Sequence, residues 1–225
     1  MERRGKVKKI ILDDIKNNRE IETYIKIGHE HLGAIGYTEH SFRHANLVSN
    51  IAYNILFRLN YPHREAELAA IAGYLHDIGN VISRHNHGQS GALIAFRILD
   101  KLGMPPEEIA VVCSAIGNHE EEYGQPVNNV SAALILADKS DVHRSRVRNP
   151  DIVNFDIHDR VNYAVEHSFL NVHEKAVTLE LSIDISICPV MEYFEIFLTR
   201  MMMCRRAAEF LKTKFELFIN DARLL

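Results

Sequence analysis

The chain has 225 residues, 47% of them hydrophobic and 25% charged, with a formal net charge of −4. That size and apolar fraction support one large globular domain, or one with a smaller appendage. Eleven glycines and six prolines are too few for a disordered or fibrous chain, and the charge gives no reason to expect a nucleic-acid polymer as partner. The three cysteines, Cys113, Cys188 and Cys204, are far apart and form no CxxC, which argues against a disulfide scaffold or a thiolate zinc site. Apolar runs are far shorter than the roughly 20 residues that span a bilayer. The basic N-terminus reaches two aspartates after a short apolar stretch, too soon for a signal peptide. The expectation is a cytoplasmic protein with no membrane association. Thirteen histidines are many for this length.

In chain order, a short amphipathic helix is predicted over residues 7–17 and a second over 19–35, closed by Gly36. Thr38 is placed to cap a third helix reaching Leu59, with Phe42, Ala45, Val48, Ile51, Ala52 and Ile55 at three- and four-residue steps. Pro62 opens a fourth helix over 62–77, rich in small residues and stopped by Gly79-Asn80. A helix over 88–102 ends at Gly103. Pro105-Pro106 opens another, to about Gly117, and a loop over 120–129 precedes a helix over 130–146.

The pattern changes near Asn149-Pro150. Val177, Leu179, Leu181, Ile183, Ile185 and Ile187 alternate with polar residues, the signature of a half-buried strand. Val161, Tyr163, Val165 and Phe169 suggest a weaker partner strand, with a turn over 171–175. Pro189 is expected to start a long last helix whose stripe runs from Phe194 through Met201 and Cys204 to Leu211, Phe215 and Phe218. The Met201–Met203 run reads as packing. The fold expected is mainly α: an all-α bundle over 1–148, then a strand–strand–helix appendage over 149–225 that could also carry a homodimer interface.

Five segments concentrate histidine and aspartate at helix ends: SFRHANLVSNIA, GYLHDIGN, RHNHGQSGALIAFRIL, AIGNHEEE and ILADKSDVHRSR. Helix ends converging on one cavity can assemble a metal site. Adjacent His76 and Asp77 can reach one ion at the last turn of a helix, and an aspartate can bridge two ions. Imidazoles with carboxylates suit one or two divalent ions of Mn, Fe, Co, Ni or Zn, Mg being the poorer fit. His85 competes with His87. His40, one turn before His44, reads as pocket lining. Glu120–Glu122 reads as a solvated loop or a pocket mouth.

His44, His76-Asp77, His87, His119 and Asp138, with the contexts LHDIGN, HGQSGA, IGNHE and ILADKSD, resemble the H…HD…H…H…D pattern of the HD-domain metal-dependent phosphohydrolase superfamily. The resemblance covers residues 38–148. It implies that His44, His76, Asp77 and Asp138 hold a first metal. His87 and His119 would hold a second, with Asp77 bridging, and a metal-bound hydroxide would attack phosphorus. The implied function is cleavage of a phosphomonoester or phosphodiester, a small phosphorylated substrate such as a nucleotide. Asp77 and Lys139 are the catalytic candidates. Asn80, Asn118, Arg144 and Arg146 are the substrate-binding candidates, the plain alternative for the arginines being a solvated basic helix end. Two departures stand out. Asn80 replaces the lysine of HDIGK, removing a cation often beside the substrate phosphate. The GYP signature of the cyclic-di-GMP branch is absent, and Asn118 stands where that branch often has a second histidine. The alternatives are a non-catalytic signalling or ligand-binding module, and a di-iron oxygenase.

Overall fold

The computed structural model describes residues 9–148 and 156–225. Its first part is a helical bundle: α1 (Leu12–Lys16), α2 (Arg19–Ala34), α3 (Phe42–Arg58), α4 (His63–Leu75), α5 (His87–Leu102), α6 (Pro106–Gly117) and α7 (Asn129–Lys139). The starts have local causes. The Asn18 side chain accepts from the backbone N–H groups of Glu20 and Ile21, and Ser41, not Thr38, accepts from that of Arg43. Gly103, at φ +83, ends α5 in the left-handed region that glycine adopts without strain. Along α4 the run from Leu68 to Leu75 is buried. A Cβ on Gly73 would lie 2.9 Å from the backbone of Ser49, so glycine is what lets α3 and α4 cross so closely.

Helix α7 stops at Lys139, earlier than the sequence suggests. The His143 side chain accepts from the Ser145 N–H and starts a separate 3-10 turn, Arg144–Arg146. The expected boundary at 148/149 abuts residues 149–155, which lie outside the described residues, as do the first residues of the N-terminal helix.

After that boundary come α8 (Ile157–Ala164), β1 (Val165–Val172), β2 (Ala176–Ile183), α9 (Val190–Phe210), β3 (Lys214–Ile219) and β4 (Ala222–Arg223). The chain is therefore not all-α. Its sheet has the order β1-β2-β3-β4, antiparallel for β1/β2 and β3/β4 and parallel for β2/β3. A parallel pair needs a long crossover, which α9 supplies. Three expectations are corrected here. Val161 and Tyr163 lie in α8, which Asp156 caps by accepting from the Asp159 N–H. Strand β2 ends at Ile183, because Asp184 turns the chain by accepting from Ser186 and leaves Ile185 exposed. The last helix ends at Phe210, and Phe215 and Phe218 belong to β3.

One face of the sheet (Val177, Leu179, Leu181 and Ile183 of β2; Phe215, Leu217 and Ile219 of β3) is buried with Tyr193, Phe197, Met201 and Cys204 of α9. This apolar cluster is continuous with that of the bundle. Helix α9 also packs on α7, bringing the appendage against the element that ends in Asp138 and Lys139. Among the described residues no helix is long and apolar enough to cross a membrane.

Candidate metal centre

The five sequence segments meet at one point. His44 lies in the first turn of α3, His76 and Asp77 directly follow α4, His87 opens α5, His119 follows α6, and Asp138 is in the last turn of α7. All four imidazoles are buried. His44 Nε2 is 3.2 Å from His76 Nε2 and 3.3 Å from Asp138 Oδ1, and His87 Nε2 is 3.1 Å from His119 Nε2 and 3.2 Å from Asp77 Oδ1. His76 Nε2 lies 3.4 Å from both Asp77 Oδ2 and Asp138 Oδ1. Three groups of donor atoms, each within 4.8 Å of one another, result: His44, His76 and Asp77; His76, His119 and Asp138; and Asp77, His87 and His119.

The donor set fits a divalent cation. Each ring has Nδ1 next to an oxygen acceptor: Gly73 O for His76 (2.8 Å), Ile116 O for His119 (2.6 Å), Arg84 O for His87 (3.0 Å) and Asp141 Oδ2 for His44 (2.6 Å). With Nδ1 donating outward, each Nε2 faces inward, toward the other rings and two carboxylates. Asp77 Oδ2 is buried without a hydrogen-bond partner, as a carboxylate oxygen reserved for a cation would be.

The electrostatics agree. Burial alone would push Asp77 and Asp138 up. The imidazoles of His76 and His40 around Asp77, and Lys139, His44 and His76 around Asp138, hold both well below the ordinary carboxylate range. Burial and the neighbouring His87 and His76 keep His119 well below the usual imidazole value, hence neutral. Burial works against the charge on His76, but Asp77 and Asp138 outweigh it and raise the group to about 10. Without an ion, a proton on His76 answers the two carboxylates.

A cleft of about 630 Å³ opens onto the centre, and Asp77, His87, His119, Asp138 and Lys139 line it. His40 and His85 also line it, but neither enters a donor group. Lys139 Nζ pairs with Asp138 Oδ2 at 2.7 Å. The substrate-binding candidates divide. Arg146 lines the cleft, with its guanidinium donating to Asp141 O and Glu39 O. Asn80 instead turns inward, donating to Asp77 O (2.9 Å) and Asp77 Oδ1 (3.0 Å). Asn118 donates to Ser114 O, and Arg144 pairs with Glu166 and lies over Tyr163, both away from the cleft lining.

Sequence reasoning missed Asp141, Arg84 and Arg200, whereas Glu120, read as loop or pocket mouth, lines the cleft. Asp141 binds His44 and is in turn held by Arg43 at 2.8 Å. Its spacing of three from Asp138 was the available signal. Glu120 accepts from the Gly88 N–H beside His87. Arg84 places Nη1 3.7 Å from Asp77 Oδ1 and 3.4 Å from His87 Nε2, putting a cation next to the centre despite the absence of a lysine at Asn80. Arg200 reaches the cleft from α9. No local pattern marks Arg84 or Arg200.

A helical domain with a histidine–aspartate centre at converging helix ends is the arrangement of the HD domain, and the HD-domain family model matches residues 37–145. That match spans 109 of the chain's 225 residues. Over 200 residues the chain is 27% identical to the uncharacterized protein MJ1020 of Methanocaldococcus jannaschii, a match spanning 78% of this chain and 76% of that one. The crystal structure of a predicted HD superfamily hydrolase from an uncultured Thermotogales bacterium is 26% identical, with a TM-score of 0.45, covering 56% of this chain and 68% of that chain.

Proposed function

We propose that this protein is a divalent-metal-dependent phosphohydrolase acting on a small phosphomonoester or phosphodiester, a nucleotide being the expected kind. The observation that carries this reading is the inward convergence of four Nε2 atoms on Asp77 and Asp138, with Asp77 Oδ2 unpartnered. His44, His76, Asp77 and Asp138 would hold one ion, and Asp77, His87 and His119 a second. A bound ion pair supplies Lewis acidity toward phosphate oxygens and an activated water as nucleophile. The chain's own residues do the rest. Asp141, Gly73 O, Arg84 O and Ile116 O fix the four rings. Lys139 and Arg84, at the cleft wall, offset charge on the phosphoryl oxygens. The HD domain match supports the reading, and Asn80, which holds Asp77 in place of offering a cation, does not oppose it.

The test is elemental analysis of the purified protein, with hydrolysis of aryl phosphate monoesters and diesters in Mn, Fe, Co, Ni, Zn and Mg. Bound transition metal with turnover, both lost in His76→Ala, is the expected result. Bound metal with no turnover on any ester overturns the hydrolase in favour of a ligand-binding module, or of oxygen chemistry if the metal is iron.

A further inference from the structure

A side chamber of about 320 Å³ adjoins the cleft. Tyr37, His40, Arg84, Arg146, His158 and Arg200 line both volumes, so the two share a wall. None of the six residues of the metal centre lines the chamber. A group held there would lie away from the metal donors.

Three guanidinium groups meet there. Arg200 lies over the Phe197 ring, 4.2 Å from its centroid, and its hydrogen bond among the described residues runs from Nε to Glu121. The plane is fixed by the ring and one edge by the carboxylate, which leaves the Nη edge for a ligand. Arg84 is held similarly over Tyr37 at 5.6 Å, with its side chain 30% exposed. Arg146 is buried and its donors meet the Glu39 and Asp141 carbonyls and His40 Nε2, so it adds charge to the chamber wall but not a hydrogen-bonding edge. Among the described residues the chamber's acids are Asp156 and Asp159, and Asp156 is occupied as the cap of α8. A planar fork with one free edge matches a carboxylate or phosphate, whereas a neutral group would bury those donors unmatched.

We infer that the cleft has a second anion-binding end, built by Arg200, and that the substrate carries a second anionic group, a carboxylate or phosphate, apart from the phosphate that reacts. In naming a substrate, this rests on the hydrolase reading. It makes α9, outside the HD match, part of the substrate site.

Non-hydrolysable probes separate the two readings. Manganese-loaded protein is titrated by calorimetry with ω-phosphonoalkanoates of two to five carbons and with alkylphosphonates of equal length. At one or more lengths the carboxylate should tighten binding about tenfold or more, as a charge-assisted bond to arginine does. α,ω-Bisphosphonates of the same spans tell a second phosphate from a carboxylate. In Arg200→Gln the ratio between each pair should fall toward one, and Arg200→Lys, which keeps the charge without the fork, should restore part of it. No gain at any length in the natural protein, or a gain that survives Arg200→Gln, overturns the proposal. If Arg200→Gln does not fold, the length series alone decides. The gain without ester turnover would leave the second anion site standing and the hydrolase reading refuted, and turnover without the gain would do the reverse.

Discussion

Asp141 shows how much of the centre is set by groups that would not touch an ion. Its Oδ2 holds His44 Nδ1 at 2.6 Å while Arg43 grips it from the other side, so one carboxylate sets both the tautomer and the angle of the ring. Burial would push Asp141 up, yet Arg146, His44 and Arg43 hold it far below the ordinary range, and it stays charged at any working pH. Asp141→Asn should therefore keep the fold but weaken metal binding by about 10–100-fold, read by metal titration. Arg84→Gln should lower kcat/KM for a phosphate ester by about tenfold by removing one cation at the cleft wall, while bound metal per chain stays the same. At this scale the sequence showed the donors and hid their supports. His44, His76, Asp77, His87, His119 and Asp138 each stand at a helix end with a recognisable neighbourhood. Arg84 stands three residues before His87 with no motif to mark it, and Arg200 matters through where a distant segment brings it, which nothing adjacent in the chain records.

Between elements, the centre depends on the 3-10 turn Ile78–Val81, just after His76 and Asp77, meeting the start of α5 closely. A Cβ on Gly79 would lie 1.9 Å from the His87 carbonyl oxygen and 2.6 Å from the Gly91 nitrogen, both backbone atoms that cannot swing aside. Gly79→Ala should cost about 3 kcal/mol or more and displace the start of α5, and His87 with it. Urea unfolding with metal stoichiometry checks this: a lower midpoint should accompany loss of roughly one metal per chain in a two-metal site. The helices of the bundle were legible because caps, prolines and glycines mark their ends and α2, α3 and α5 carry a 3.6-residue stripe. The appendage was harder, since its short elements satisfy two periods. Val161, Tyr163 and Val165 alternate like a strand, but Asp156 caps a helix there and Val161 and Ala164 are buried three apart. Leu211, Phe215 and Phe218 continue the α9 stripe, but Lys212 takes φ +59, and Phe215, Leu217 and Ile219 then alternate beside β2. That partner is more than thirty residues away, so pairing, not local pattern, decides the conformation.

Across the whole molecule, the charges of the centre tie stability to metal and pH together. In the metal-free protein a proton on His76 stands between Asp77 and Asp138, with the group raised from 6.5 to about 10. A raised folded-state value means that this stabilisation is complete below about pH 6.5 and is lost as the pH rises through about 10. A cation binding to the same Nε2 must displace that proton, so apparent metal affinity should climb with pH over this window, by up to about tenfold per unit for one proton released. Asp77 and Asp138 act at the other end. Their depressed values give stability that is present above the ordinary carboxylate range and lost as the pH falls below it, with or without metal. The melting temperatures of manganese-loaded and chelator-treated protein should therefore lie close together in acid and separate steadily from pH 6.5 to 9, because the loaded form keeps a positive charge at the centre while the stripped form gives one up. His76→Ala should flatten this separation. A gap that does not change with pH would mean that no proton leaves the centre when the ion enters, and that His76 is not among its ligands.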